Sequence, residues 1–216
     1  MAVRPETLSE RGTPAFLGIR QQHMNCVILA ELDLSDLAPG EFAGVVVRQS
    51  EKDYVTFLIT MPHPKNTGMP NSGSVNIASN PEAGKLAAQL QLMHRRNGIS
   101  SVVAETTVYL GANPSTKLGI YITGQEYQFT YFDEPKDNEP ISDAPISDAP
   151  ISDAPSGAGP LSAEPNGTVL GTVDGRSLDT ATTGGFLGLW LGIYATSQHR
   201  PSKGVLNAKA AYFVTD

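Results

Sequence analysis

Along much of this chain, apolar and polar positions alternate with a period of two. Leu86, Ala88, Leu90 and Leu92 are interleaved with Ala87, Gln89 and Gln91. Successive side chains of a strand point to opposite faces of a sheet, so this spacing predicts a strand with one buried face. A helix over Ala83 to Arg96 is the competing reading, and it loses on the alternation. Asn97-Gly98 follows, and then a second run, Ile99 to Leu110, rich in Val and Thr. Asn-Gly between two such runs predicts a hairpin, because a type I′ turn needs positive φ at both central residues. The same pattern predicts strands over Phe16–Gln22, Asn25–Asp33, Ala43–Gln49, Tyr54–Thr60, Lys117–Thr123, Glu126–Phe132, Val169–Val173, Gly185–Thr196 and Ala208–Thr215. About eleven strands and no clear helix predict an all-β fold of two packed sheets.

Two stretches break the alternation. Ile-Ser-Asp-Ala-Pro occurs three times over Ile141 to Pro155, inside a Pro-rich segment spanning 133–165. Proline every fifth residue blocks helix and ladder alike, so the segment reads as a low-complexity loop inserted into one domain covering 1–216. Pro62 to Pro81 is polar and rich in Asn, Gly and Pro, and reads as a second long loop. At 216 residues, one sandwich is the natural size. Fifteen basic residues against 22 acidic ones give a net charge of −7, which disfavours nucleic acid and anionic membranes as partners and is compatible with a neutral ligand such as a sugar. Cys26 is the only cysteine and lies among apolar residues, which predicts a buried, inert thiol. The first residues lack an apolar leader and no 18-residue apolar run occurs, so the chain as it stands is expected to be soluble and cytoplasmic.

Catalytic chemistry is hard to find. There is no Gly-x-Ser-x-Gly elbow, no His-Glu-x-x-His, no Cys-x-x-Cys and no phosphate-cradling loop. His23, His63, His94 and His199 are scattered without ligand spacing. Glu31, Asp33, Glu105 and Glu126 sit on predicted strands, where a solvated face explains them. No acidic loop has calcium-binding spacing. The reading therefore assigns no catalytic residue, no metal and no cofactor.

Several stretches do carry a recognisable pattern. Thr13-Pro14-Ala15-Phe16-Leu17-Gly18-Ile19-Arg20-Gln21-Gln22-His23 resembles the strand that opens the C-terminal concanavalin A-like domain of family 43 glycoside hydrolases, with Arg20-Gln21 as its motif pair. Phe42 to Val47 and Tyr54 to Phe57 are similar to that family's next strands, and Leu118 to Tyr131 resembles its aromatic hairpin. Gly185 to Ala195 and Ala210 to Phe213 resemble its closing strands, with Leu187 and Ala211 standing where the family has Thr and Asp. The resemblance implies a jelly-roll sandwich. It also implies an accessory role beside a five-bladed propeller that holds the catalytic carboxylates, in enzymes acting on xylosides or arabinosides. The chain opens about twelve residues before the first motif, which leaves no room here for that propeller. Partners are then a family 43 propeller or a sugar, and the alternatives are a free-standing lectin-like module or a scaffold domain without a sugar site.

One predicted strand stands out chemically. Over Gly185–Thr196, Leu187, Leu189, Leu191 and Ile193 share one face and should line the core. Phe186, Gly188, Trp190, Gly192 and Tyr194 share the other, an aromatic and glycine-rich face pointing outward. Two explanations stand: a loop or neighbouring domain covers Phe186, Trp190 and Tyr194, or their rings form a platform for sugar stacking.

Overall fold

The computed structural model describes residues 1–62, 85–132, 167–178 and 188–215. Its strands are β1 (Ala15–Arg20), β2 (Asn25–Asp33), β3 (Phe42–Arg48), β4 (Tyr54–Thr60), β5 (Leu86–Arg96), β6 (Ile99–Leu110), β7 (Ser115–Thr123), β8 (Glu126–Phe132), β9 (Gly167–Asp174), β10 (Trp190–Thr196) and β11 (Asn207–Val214). They form two antiparallel sheets, six strands in the order β1-β10-β3-β4-β5-β6 and five in the order β11-β2-β7-β8-β9. The predicted 133–165 insertion lies outside the described residues, as does the 63–81 part of the other long loop.

The alternation seen in sequence becomes the core. Val45, Val47, Phe57, Leu90 and Leu92 project inward from the larger sheet, and Ile28, Leu118, Ile120 and Phe129 from the smaller. Phe57 and Phe129 meet edge-to-face across the interface, their centroids 5.7 Å apart, the geometry that aromatic quadrupoles favour. The β5–β6 hairpin turns at Asn97 (φ 51°) and Gly98 (φ 82°), the two positive φ values that a type I′ turn demands. Asp53, almost fully buried, ties this hairpin to its neighbour. Its carboxylate accepts the Asn97 N–H at 2.8 Å and the Ser50 hydroxyl at 3.0 Å.

The structure corrects the sequence reading at one place. The strand expected over Gly185–Thr196 begins only at Trp190. Gly188 and Leu189 precede it in non-strand conformation, and 179–187 lies outside the described residues. Leu17 and Ile19 have inward parity on β1, yet remain 69% and 47% exposed, because β1 is the edge strand of the wider sheet.

A second, smaller core had no strand pattern to announce it. The N-terminal segment runs over the outer face of the six-stranded sheet, and Leu8 packs there against Val46, Tyr54, Leu58 and Tyr194. Backbone hydrogen bonds fasten the segment: Val3 N–H to Gly204 O (2.9 Å), Ser197 N–H to Arg4 O (3.1 Å) and His199 N–H to Pro5 O (2.9 Å).

Candidate functional site

At one end of the sandwich, where β1 and β9 finish and β10 begins, the two sheets separate around a cavity of about 270 Å³. Gln21, Gln22 and His23 enter it from the β1–β2 connection, and Gln125 and Tyr127 from the β7–β8 hairpin. Leu178 and Leu189 supply apolar wall. A chain of hydrogen bonds fixes the polar side: the Tyr127 hydroxyl donates to Gln21 Oε1 at 2.7 Å, and Gln21 Nε2 donates to the His23 carbonyl at 3.0 Å. The Gln21 N–H donates to Leu189 O at 2.9 Å, holding β1 to the segment before β10. Burial pushes the Tyr127 phenol up to about 12, so at neutral pH it remains a protonated donor.

Among the described residues, no Asp, Glu, Lys or Arg lines this cavity. The described lining thus supplies no carboxylate pair for glycoside cleavage, and it offers amides, a hydroxyl and an imidazole, groups that suit the hydroxyls of a neutral polyol. Two of the strand carboxylates are engaged elsewhere. Glu105 accepts from Gln89 and Gln91 at 3.0 and 3.2 Å, and Asp33 accepts from Ser35. Among the described residues, no three of His, Cys, Asp and Glu converge as a metal site.

Of the residues singled out in sequence, Gln21 lies in the cavity and Arg20, one position earlier, points to the outer face of the six-stranded sheet. Trp190 and Tyr194 are on that outer face too, as the parity predicts, while Leu191 and Ile193 are in the core. Trp190 is half-buried, with the Arg20 guanidinium 5.5 Å from its ring centroid. Tyr194 is 3% exposed beneath Leu8, and burial raises its phenol to about 12. Its ring is therefore a packing element, closed to any ligand: for Tyr194 the covering loop is the chain's own N-terminal segment. Phe186 lies outside the described residues. The reading missed Gln22, His23, Gln125 and Tyr127 as cavity residues. A cluster of uncharged amides at two strand ends was the available signal, and only the folded register joins its halves.

Residues 1–154 match the family described as the β-xylosidase C-terminal concanavalin A-like domain. The chain belongs to that family. Solved structures with the same fold include a GH43B protein of a Bacteroides ovatus xyloglucan locus (TM-score 0.64, 19% identity) and the GH43 protein BlXynB of Bacillus licheniformis (TM-score 0.66, 15% identity). In each case the whole of this chain aligns with 32% of the other. A xylan β-1,4-xylosidase of Bacillus halodurans (TM-score 0.64, 14% identity) aligns with 99% of this chain over 31% of its own length. This family member thus spans about a third of those structures. No curated protein sequence matches it. The stretches that resemble the family's opening strand and aromatic hairpin, β1 with the Gln21 that follows it and β7–β8, both contribute residues to the cavity.

Proposed function

We propose that this chain serves as the accessory, non-catalytic sandwich of a family 43 glycosidase of the β-xylosidase or arabinofuranosidase type, with its cavity end placed against the catalytic propeller. The observation that carries the reading is the coverage: the whole chain corresponds to about a third of each of these GH43 proteins and leaves the other two thirds unmatched. The cavity chemistry agrees with it. An uncharged, hydrogen-bonding wall can seat sugar hydroxyls or a propeller loop without supplying an acid or base.

A second reading, a free-standing carbohydrate-binding module, is favoured by the same cavity, which needs no neighbour to present its amides. The two separate in one experiment. A family 43 propeller encoded beside this chain, produced without its own sandwich, is titrated calorimetrically with the chain. The accessory role predicts a saturable complex and a gain in hydrolysis of aryl-xylosides or aryl-arabinosides. Xylo-oligosaccharide binding by the chain alone, with no heat on adding propeller, would instead support the module reading.

A further inference from the structure

The cross-strand register builds a feature that no stretch of sequence contains. Arg20 on β1 lies opposite Trp190 on β10, Trp190 opposite Arg48 on β3, Arg48 opposite Tyr54 on β4, and Tyr54 opposite Arg95 on β5. These five side chains form one row across the outer face of the six-stranded sheet, at its cavity end, with Tyr54 buried against Leu8, and with Trp190 and the three arginines at least partly exposed. At a strand spacing of about 4.8 Å the row is roughly 19 Å long. We propose that it is a binding site for a carboxylate-bearing saccharide.

With 22 acidic residues against 15 basic ones, the chain has carboxylates to spare, yet among the described residues only Glu51 forms an ion pair within the row, 3.6 Å from Arg48 Nη2 and half exposed. Arg95 Nη1 donates to the Ser100 hydroxyl at 3.0 Å, and among the described residues Arg20 has no carboxylate partner. The Nε atoms of Arg48 and Arg95 are buried and unmatched.

Arg20 lies over Trp190 at 5.5 Å and Arg95 over Tyr54 at 5.9 Å. Cation–π stacking occupies the face of a guanidinium and leaves the N–H donors in its plane, where they can grip a carboxylate in bidentate fashion. The ring contacts restrict Arg20 and Arg95 beforehand, which lowers the side-chain entropy lost on binding.

The saccharide follows from the neighbourhood. Arg20 adjoins Gln21, and a Cβ on Gly188, a cavity residue, would lie 3.9 Å from Arg20 Nη1. A ligand whose carboxylate sits on the row can therefore reach amide and hydroxyl partners for its hydroxyls in the cavity. The net charge of −7 repels an extended polyanion such as nucleic acid. The inference rests on the carbohydrate setting of the proposed function and not on a catalytic partner, so its failure leaves the accessory role standing.

Trp190 is the only tryptophan, which makes its fluorescence a reporter of the row. The full chain is titrated with a glucuronate-substituted xylo-oligosaccharide and with its unsubstituted counterpart of equal length. The expected result is a saturable response to the acidic sugar, about tenfold tighter than to the neutral one and weakened by salt. Arg20→Gln and Arg95→Gln should each weaken it by about fivefold or more, and Lys209→Gln, on the other sheet, should not. Arg20 is exposed on an edge strand, so that variant should melt like the parent. Equal affinity for both sugars, or no response to either, overturns the proposal. Tight binding of an oligoglutamate peptide with none of the acidic sugar would also overturn it, and would make the row a protein-docking surface.

Discussion

Leu8 is the residue on which the outer-face packing depends, and Leu8→Ala tests it. The side chain is 1% exposed and touches the cluster of Val46, Tyr54, Leu58 and Tyr194. Removing three carbons at about 0.8 kcal/mol per buried methylene forfeits roughly 2.4 kcal/mol. A residual cavity adds to this, since the Val3, Arg4 and Pro5 backbone bonds fasten the segment just before Leu8 and hinder it from sinking into the gap. A total near 3 kcal/mol is expected. With a urea m-value of about 3 kcal/mol/M, the midpoint should fall by roughly 1 M with the slope unchanged. The same variant should admit water to Tyr194, whose phenol burial holds at about 12, and move its ionisation down toward the ordinary value of about 10. Urea unfolding followed by far-ultraviolet circular dichroism, with an ultraviolet titration of phenolate, reads both effects. A loss below about 1 kcal/mol with the phenolate titration unchanged would show that the N-terminal segment merely lies on the sheet.

Three further outcomes follow from the same structure. Tyr127 and Tyr194 have folded-state values raised to about 12 by burial. Their contribution is therefore complete below pH 10 and lost as pH rises from 10 to 12, by on the order of 2 to 3 kcal/mol each, which denaturant curves across that window should record. Asp53→Ala strands the Asn97 N–H and should cost about 1–3 kcal/mol in thermal or urea unfolding, whereas an unchanged midpoint would remove Asp53 as the link between hairpins. Deleting Ile141 to Pro155 should shift stability by less than about 1 kcal/mol, because closure entropy grows only logarithmically with loop length; a loss of about 3 kcal/mol would show that the repeats pack on the fold.

The strands were legible because each buries one face, and alternation is a local signal. Ile99–Leu110 and Glu126–Phe132 were read to the residue, and the Asn97-Gly98 turn was visible in its two letters. Parity also placed Trp190 and Tyr194 on the face away from the core. What escaped the sequence depends on neighbours distant along the chain. Residues 1–12 have no period because they form a strap, not a strand, and only the strap explains why Tyr194 is buried. The exposure of Leu17 follows from a mismatch of six strands against five, which no single strand encodes. The cavity joins Gln21 to Tyr127, 106 positions apart, and the arginine–aromatic row draws one residue from each of five strands.

The claim that this sandwich supports glycoside hydrolysis without performing it has one direct test. The purified chain is incubated with aryl-β-xyloside and aryl-α-arabinoside, and release of the aryl alcohol is followed at substrate concentrations reaching millimolar. No carboxylate lines the cavity among the described residues, so the account predicts release no faster than in buffer. Turnover that follows the protein through purification, and vanishes on replacing a single carboxylate such as Glu105 or Glu126 by its amide, would contradict it.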